Sequence, residues 1–131
     1  MSPATPTLEL FRGEERLFAS AGRWLHPLFE LEDYLRHSPW PTPEERGELR
    51  VRDKIVGKAA ALLLVRLGIR TVHADLLSYL GQAVLERSGV ALSYGERVPR
   101  IACRTESLLV EVEDPDEAYR VVRERIARGS S

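Results

Sequence analysis

The sequence predicts an α/β domain built on a mixed sheet with helices on both faces, and three observations predict it. Short β-rich runs alternate with helical periodicities between residues 49 and 94, the pattern of βαβ units. A hairpin signature precedes them, and an amphipathic helix follows near the end. The most apolar run, Ile55 to Leu67, carries only Lys58 and Arg66 as charges; a helix over it must be covered on most of its sides.

Taking the elements in order, Leu8 to Phe11 and Arg16 to Ala19 are partly alternating runs around Gly13-Glu14, a β-hairpin with a turn somewhat longer than the tightest class. Pro27 then opens a helix as its first residue, with Leu28, Leu31, Tyr34 and Leu35 at helical spacing, and the helix stops before Pro39. Ser38 to Glu48 holds three prolines and several charges, so it runs as a surface loop; Trp40 within it folds back over the core or, as the functional alternative, lids a pocket. Leu49-Arg50-Val51 is a short strand. The central helix follows over Asp53 to Leu67, with Asp53 as its cap and Gly68 supplying the left-handed residue past its end.

Ile69 to Ala74 is the next strand, parallel to the first through a right-handed crossover. Asp75 caps a further helix whose buried face carries Leu76, Leu77, Leu80 and Val84 and which ends at Gly89. Val90 to Tyr94, Val98 to Cys103 and Leu108 to Val112 read as extended, the last with Leu108, Val110 and Val112 inward against Leu109, Glu111 and Glu113. Asp114-Pro115-Asp116-Glu117 starts the final helix with a cap and a first-position proline, and Ala118, Val121, Val122 and Ile126 form its stripe.

The 131 residues fit one domain, 1–131, with poorly ordered tails at 1–6 and 129–131. A net charge of -1 gives no general attraction to nucleic acid or to an anionic membrane. The longest uninterrupted apolar run, Ala59 to Val65, falls far short of the ~18 residues of a membrane span, and the expected location is the cytoplasm. Cys103 is the single cysteine, which excludes an internal disulfide and multi-cysteine zinc sites. Asparagine is absent and glutamine occurs once, a depletion of thermolabile residues that suits a thermophile.

A candidate site comes from charge type. The 19 cationic residues are 17 arginines and two lysines, Lys54 and Lys58. On a helix from Asp53 these two stack on one face about a turn apart. Lysine where arginine is otherwise universal suggests a compact ammonium, or one whose pKa is tuned. Lys54 in the first turn would add to the anion-binding character of a helix start. In open α/β sheets ligands sit beyond the carboxyl ends of the parallel strands, and Asp53, Lys54 and Asp75 are expected near that edge.

Other motifs carry less. His73-Ala74-Asp75, expected at a strand-to-helix junction, is similar to the H-x-E half of the zinc deaminase signature, but the P-C-x-x-C half is missing, so His73 reads as a strand residue. Ser78 with His73 and Asp75 has no nucleophile-elbow spacing. His26 and His37 are surface residues; Arg97, Arg100 and Arg104 line a solvated strand face, and Cys103 is a small buried hydrophobe.

Three segments resemble one family. Asp53-Lys54-Ile55-Val56-Gly57-Lys58-Ala59-Ala60-Ala61, Val98-Pro99-x-Ile101-x-x-Arg104 and Asp114-Pro115-Asp116-Glu117-Ala118-Tyr119 are similar to a small uncharacterised prokaryotic family, domain of unknown function 1893, assigned to the cytidine deaminase-like fold. Gly13, Ser20 and Pro27-Leu28 fit its N-terminal half. The resemblance implies a three-layer α/β/α domain without the zinc ligands of true deaminases. The family carries a C-P-M-E segment after its V-P-x-I-x-x-R stretch; here Arg104-Thr105-Glu106 follows directly, and Glu106 matches the last residue of that segment. The candidate ligand-binding residues are therefore Asp53, Lys54, Lys58 and Glu106, with no metal and no cofactor. The expected function is binding of a small anionic or nucleotide-like ligand. The alternative is a homo-oligomeric interaction module in which the same helix is only core.

Overall fold

The computed structural model describes residues 5–38, 42, 45–101, 109 and 111–128. Strands β1 (Leu8–Arg12) and β2 (Glu15–Ser20) form the expected hairpin. Its turn is tighter than expected: Arg12 pairs with Glu15, leaving Gly13 and Glu14 alone at the tip, and Gly13 takes φ +61°. The register shifts after Leu10, which leaves Leu17 as an extra residue on β2. Helix α1 (His26–His37) has Pro27 in its first turn and buries Leu28, Leu31 and Leu35. Trp40 lies outside the described residues, and Glu45–Glu48 form one 3₁₀ turn before the next strand.

Strand β3 is longer than the sequence suggested, running Leu49–Val56. The alternation Leu49, Val51, Asp53 buried against Arg50 and Arg52 part-exposed continues past Val51. Pairing on both sides holds it extended, antiparallel to β1 from Leu49 to Asp53 and parallel to the next strand out to Val56. Asp53 and Lys54 are therefore strand residues, and Asp53 does not cap a helix. Helix α2 (Lys58–Arg66) begins only after Gly57, its N-cap. Six apolar residues, Ala59 to Leu64, are buried along it, and Gly68 ends the turn at φ +81°.

Strand β4 (Thr71–Ser78) likewise runs through Asp75, which caps nothing. The cap of helix α3 (Tyr79–Arg87) is Ser78, whose Oγ accepts the Gly81 N–H at 3.0 Å. Leu76 and Leu77 accordingly belong to the strand, and Ser78 is fully buried in its capping role. Strand β5 (Ala91–Val98) follows Gly89, at φ +75°. The expected strand at Leu108 to Val112 is not formed where it is described. Leu109 and Glu111 are turn residues, Val112 N–H bonds the Leu109 carbonyl, and Leu109 is completely buried instead of solvent-facing. Helix α4 (Pro115–Ala127) is capped by Asp114, which accepts the Glu117 N–H, and buries Ala118 and Val122.

The sheet order is β2-β1-β3-β4-β5, with β3, β4 and β5 parallel and β1 antiparallel to both neighbours. Two crossovers of one hand that step the same way along a sheet place both helices on the same side. Helix α2 indeed packs against α3, and also against α4 and α1. The helices on both faces of the expected three-layer form are thus not found among the described residues: the four described helices gather around α2 on one side of the sheet. The other face carries Glu9, Phe11, Arg50, Arg52, His73, Asp75 and Ser93, none of them fully buried, and stays polar because no described helix covers it.

Candidate ligand cavity at the end of β3

A cavity of about 470 Å³ opens where β3 ends and α2 begins. Its floor is Asp53, Lys54, Ile55 and Gly57, and the first turn of α2 contributes Ala59 and Ala60. The β2–α1 connection supplies Ala21 to Leu25 and Pro27, while Thr7 and Ile101 close the sides. This is the carboxyl end of a parallel strand, the edge where open α/β sheets hold ligands.

Local hydrogen bonds fix the walls. Thr7 O accepts the Lys54 N–H at 2.8 Å, and Thr7 Oγ1 donates to the Gly22 carbonyl at 2.8 Å. Ser20 Oγ accepts the Gly22 N–H and donates to Glu30 Oε2. The connection so held puts Trp24 at φ +58°, a left-handed conformation that a bulky residue rarely takes. Such strain costs of order 1–3 kcal/mol and persists where surrounding structure over-determines it. The Trp24 ring meets His26 edge-on at 5.6 Å.

Asp53 is the acid of this lining, with 9% of its surface exposed. Burial pushes its carboxyl up to about 7, against the pull of the Ile55 and Lys54 backbone N–H groups. Neighbouring Arg52 gives it only weak support, because the guanidinium points to the open face, where it binds Asp75 and Glu9. The described lining carries two cations, Arg23 and Lys54, against one acid, Asp53, beside the uncapped first turn of α2. That potential favours an anion.

The structure brings Asp53 and Lys54 together but separates Lys58 from them. Lys58 is the first residue of α2, only 3% exposed, and its Nζ lies 3.0 Å from Glu113 Oε1; it does not line the cavity. The two lysines do not share a helical face, because Lys54 is on a strand. Hydrogen bonding from Lys58 holds the Glu113 carboxyl below the usual range, and Arg87 bonds its other oxygen. Glu106, Cys103 and Arg104 lie outside the described residues.

Asp75 sits in the middle of β4 on the open face and not at the ligand edge. There His73 Nδ1 lies 2.7 Å from Ser93 Oγ and Nε2 lies 3.6 Å from Asp75 Oδ1. The three meet on the open face of neighbouring strands with none of the cavity walls beside them. No three His, Cys, Asp or Glu side chains gather in metal-binding reach among the described residues. His26 and His37, both exposed, sit at opposite ends of α1. Sequence reasoning missed Arg23 and Trp24. The available signal was a tryptophan in a four-residue connection between Gly22 and Pro27.

The sheet and its edge cavity define an α/β protein with a small-molecule-sized recess at a strand terminus. More particularly, the chain belongs to the family described as domain of unknown function DUF1893, whose model matches residues 43–126. It is similar to a DUF1893 family protein from Thermotoga maritima of known crystal structure, with 28% identity and a TM-score of 0.77. That match covers 92% of this chain and 80% of the other. No curated protein matches the chain. No helix among the described residues is long and apolar enough to cross a membrane.

Proposed function

We propose that this protein is a cytoplasmic binder of a small anionic or nucleotide-like molecule, held in the cavity between β3, α2 and the β2–α1 connection. The observation that carries the reading is the joint placement of Lys54, Arg23 and the α2 first turn around one recess whose acid, Asp53, is buried. The volume of about 470 Å³ falls in the range of ordinary ligand pockets. Lys54 and Arg23 neutralise the ligand's charge, and Trp24, Leu25 and Ile101 supply apolar contact. Lys58 is assigned a different role, holding α2 to Glu113. Glu106 stays in the proposal through the family resemblance alone. Kinship to the cytidine deaminase-like fold is supported by the two successive βαβ crossovers, with no zinc chemistry assigned.

A thermal-shift screen against phosphate, pyrophosphate, nucleotides, sugar phosphates and carboxylates tests the reading. A compound at 100 times its dissociation constant adds about 2.7 kcal/mol to stability and raises the melting temperature visibly. The shift is expected in wild type and reduced by half or more in Lys54→Met. A protein unmoved by every compound overturns the proposal.

The second reading, association of two copies, draws on β5. This edge strand is exposed along most of its length, with Tyr94 at 43%. Light scattering at several concentrations distinguishes it, since a binder with no self-association elutes at 14.8 kDa throughout.

A further inference from the structure

We infer that the ligand of this cavity is two-ended: a flat ring bearing a hydrogen-bond donor that reaches Asp53, joined to an anionic group that reaches Lys54 and Arg23. The inference rests on the cavity reading above and names the class of molecule it takes. An anion alone leaves half of the recess unexplained. Asp53 is more than nine-tenths buried and lines the same space. The hydrogen bonds it accepts come from the N–H groups of Lys54 and Ile55. A carboxylate offers about four acceptor positions, so it has capacity for a ligand donor. No described lysine, arginine or histidine forms an ion pair with it; Arg52, the adjacent cation, is committed to Asp75 and Glu9 across the sheet.

A buried carboxyl with spare acceptor capacity is satisfied best by an amino or ring N–H group of a ligand. The apolar part of the lining favours a flat ring. Trp24, at φ +58° two residues after the Gly22 that Thr7 and Ser20 hold, lines the recess together with Leu25 and Ile101. Preorganised aromatic surface of this kind binds planar molecules at little entropic cost.

Two probe pairs test this on the intact protein. AMP and purine riboside 5′-monophosphate differ only in the 6-amino group, and 4-aminobenzoate and benzoate form a smaller pair. Affinities come from titration calorimetry, with the fluorescence of Trp24 followed in a Trp40→Phe background. The amino member of at least one pair is expected to bind tenfold tighter or more, because a site built to hydrogen-bond an N–H discriminates strongly against its absence. Asp53→Asn should shrink that ratio several-fold. Equal affinity within each pair overturns the inference while leaving anion binding intact. If neither these probes nor the anions of the wider screen bind, the cavity reading falls and this inference with it. The wild-type ratios decide the matter even where Asp53→Asn fails to fold.

Discussion

The ammonium of Lys58 and the carboxylate of Glu113 meet at 3.0 Å across 55 residues of sequence, joining the first residue of α2 to the one just before the cap of α4. Lysine at a helix start opposes the dipole, so this ion pair offsets an unfavourable position. Glu113→Ala should destabilise the fold by about 1–2 kcal/mol, a value moderated by the 58% exposure of the carboxylate. Lys58→Met should cost less, since an apolar residue of similar length fills a buried site without desolvating a charge. Urea denaturation of both variants checks the order, and a larger loss for Lys58→Met would contradict it.

Asp53 makes stability depend on pH with a defined sign. Its folded pKa, about 7, lies above the ordinary 3.8. The native state therefore holds the proton more tightly than the unfolded chain. The contribution is fully present below about pH 4 and is lost as pH rises through 7, amounting to roughly 4 kcal/mol at most. Denaturation midpoints at pH 5, 6, 7 and 8 should fall for wild type relative to Asp53→Asn. Parallel profiles for the two proteins would refute this.

Gly81 offers a test of packing. A Cβ there would stand 2.9 Å from the Val56 carbonyl oxygen and 3.0 Å from that of Gly57. Alanine in a helix interior usually stabilises by up to about 1 kcal/mol. Gly81→Ala should instead destabilise, by about 1–3 kcal/mol, because backbone atoms at the cavity floor have to move. Thermal melts give the sign directly.

Lys54→Met should leave folding almost unchanged, since Lys54 is exposed, while weakening phosphate-bearing probes tenfold or more. Calorimetric titration beside a melting curve separates the two effects. An unaltered affinity would move the anion contact to Arg23.

The hairpin, α1, α4 and the glycine stops at Gly68 and Gly89 were legible because their signals are local. Gly13-Glu14, Pro27 and Asp114-Pro115 each act within a few residues. The boundaries around Asp53 and Asp75 were not legible. Both acids look like caps, yet each lies inside a strand whose extension is decided by pairing with residues 20 or more positions away. Asp53 and Lys54 were singled out for a helical reason that does not hold, although both do lie towards the carboxyl end of a parallel strand, as expected from fold class. Trp24 escaped notice because its left-handed backbone exists only after folding, and the sequence offered no more than a tryptophan in a short connection.

The placing of the described helices on one side of the sheet also divides the molecule's freedom to change over evolutionary time. Buried Leu8, Leu10, Leu49, Val51, Val72 and Ala74 all face the helices, so drift is slow on that side, where substitution leaves voids. Across the sheet, Arg50 over Phe11 and the Arg52, Asp75 and Glu9 cluster touch water, and replacements there cost little. Homologues should therefore diverge fastest on one side of a sheet whose other side they share.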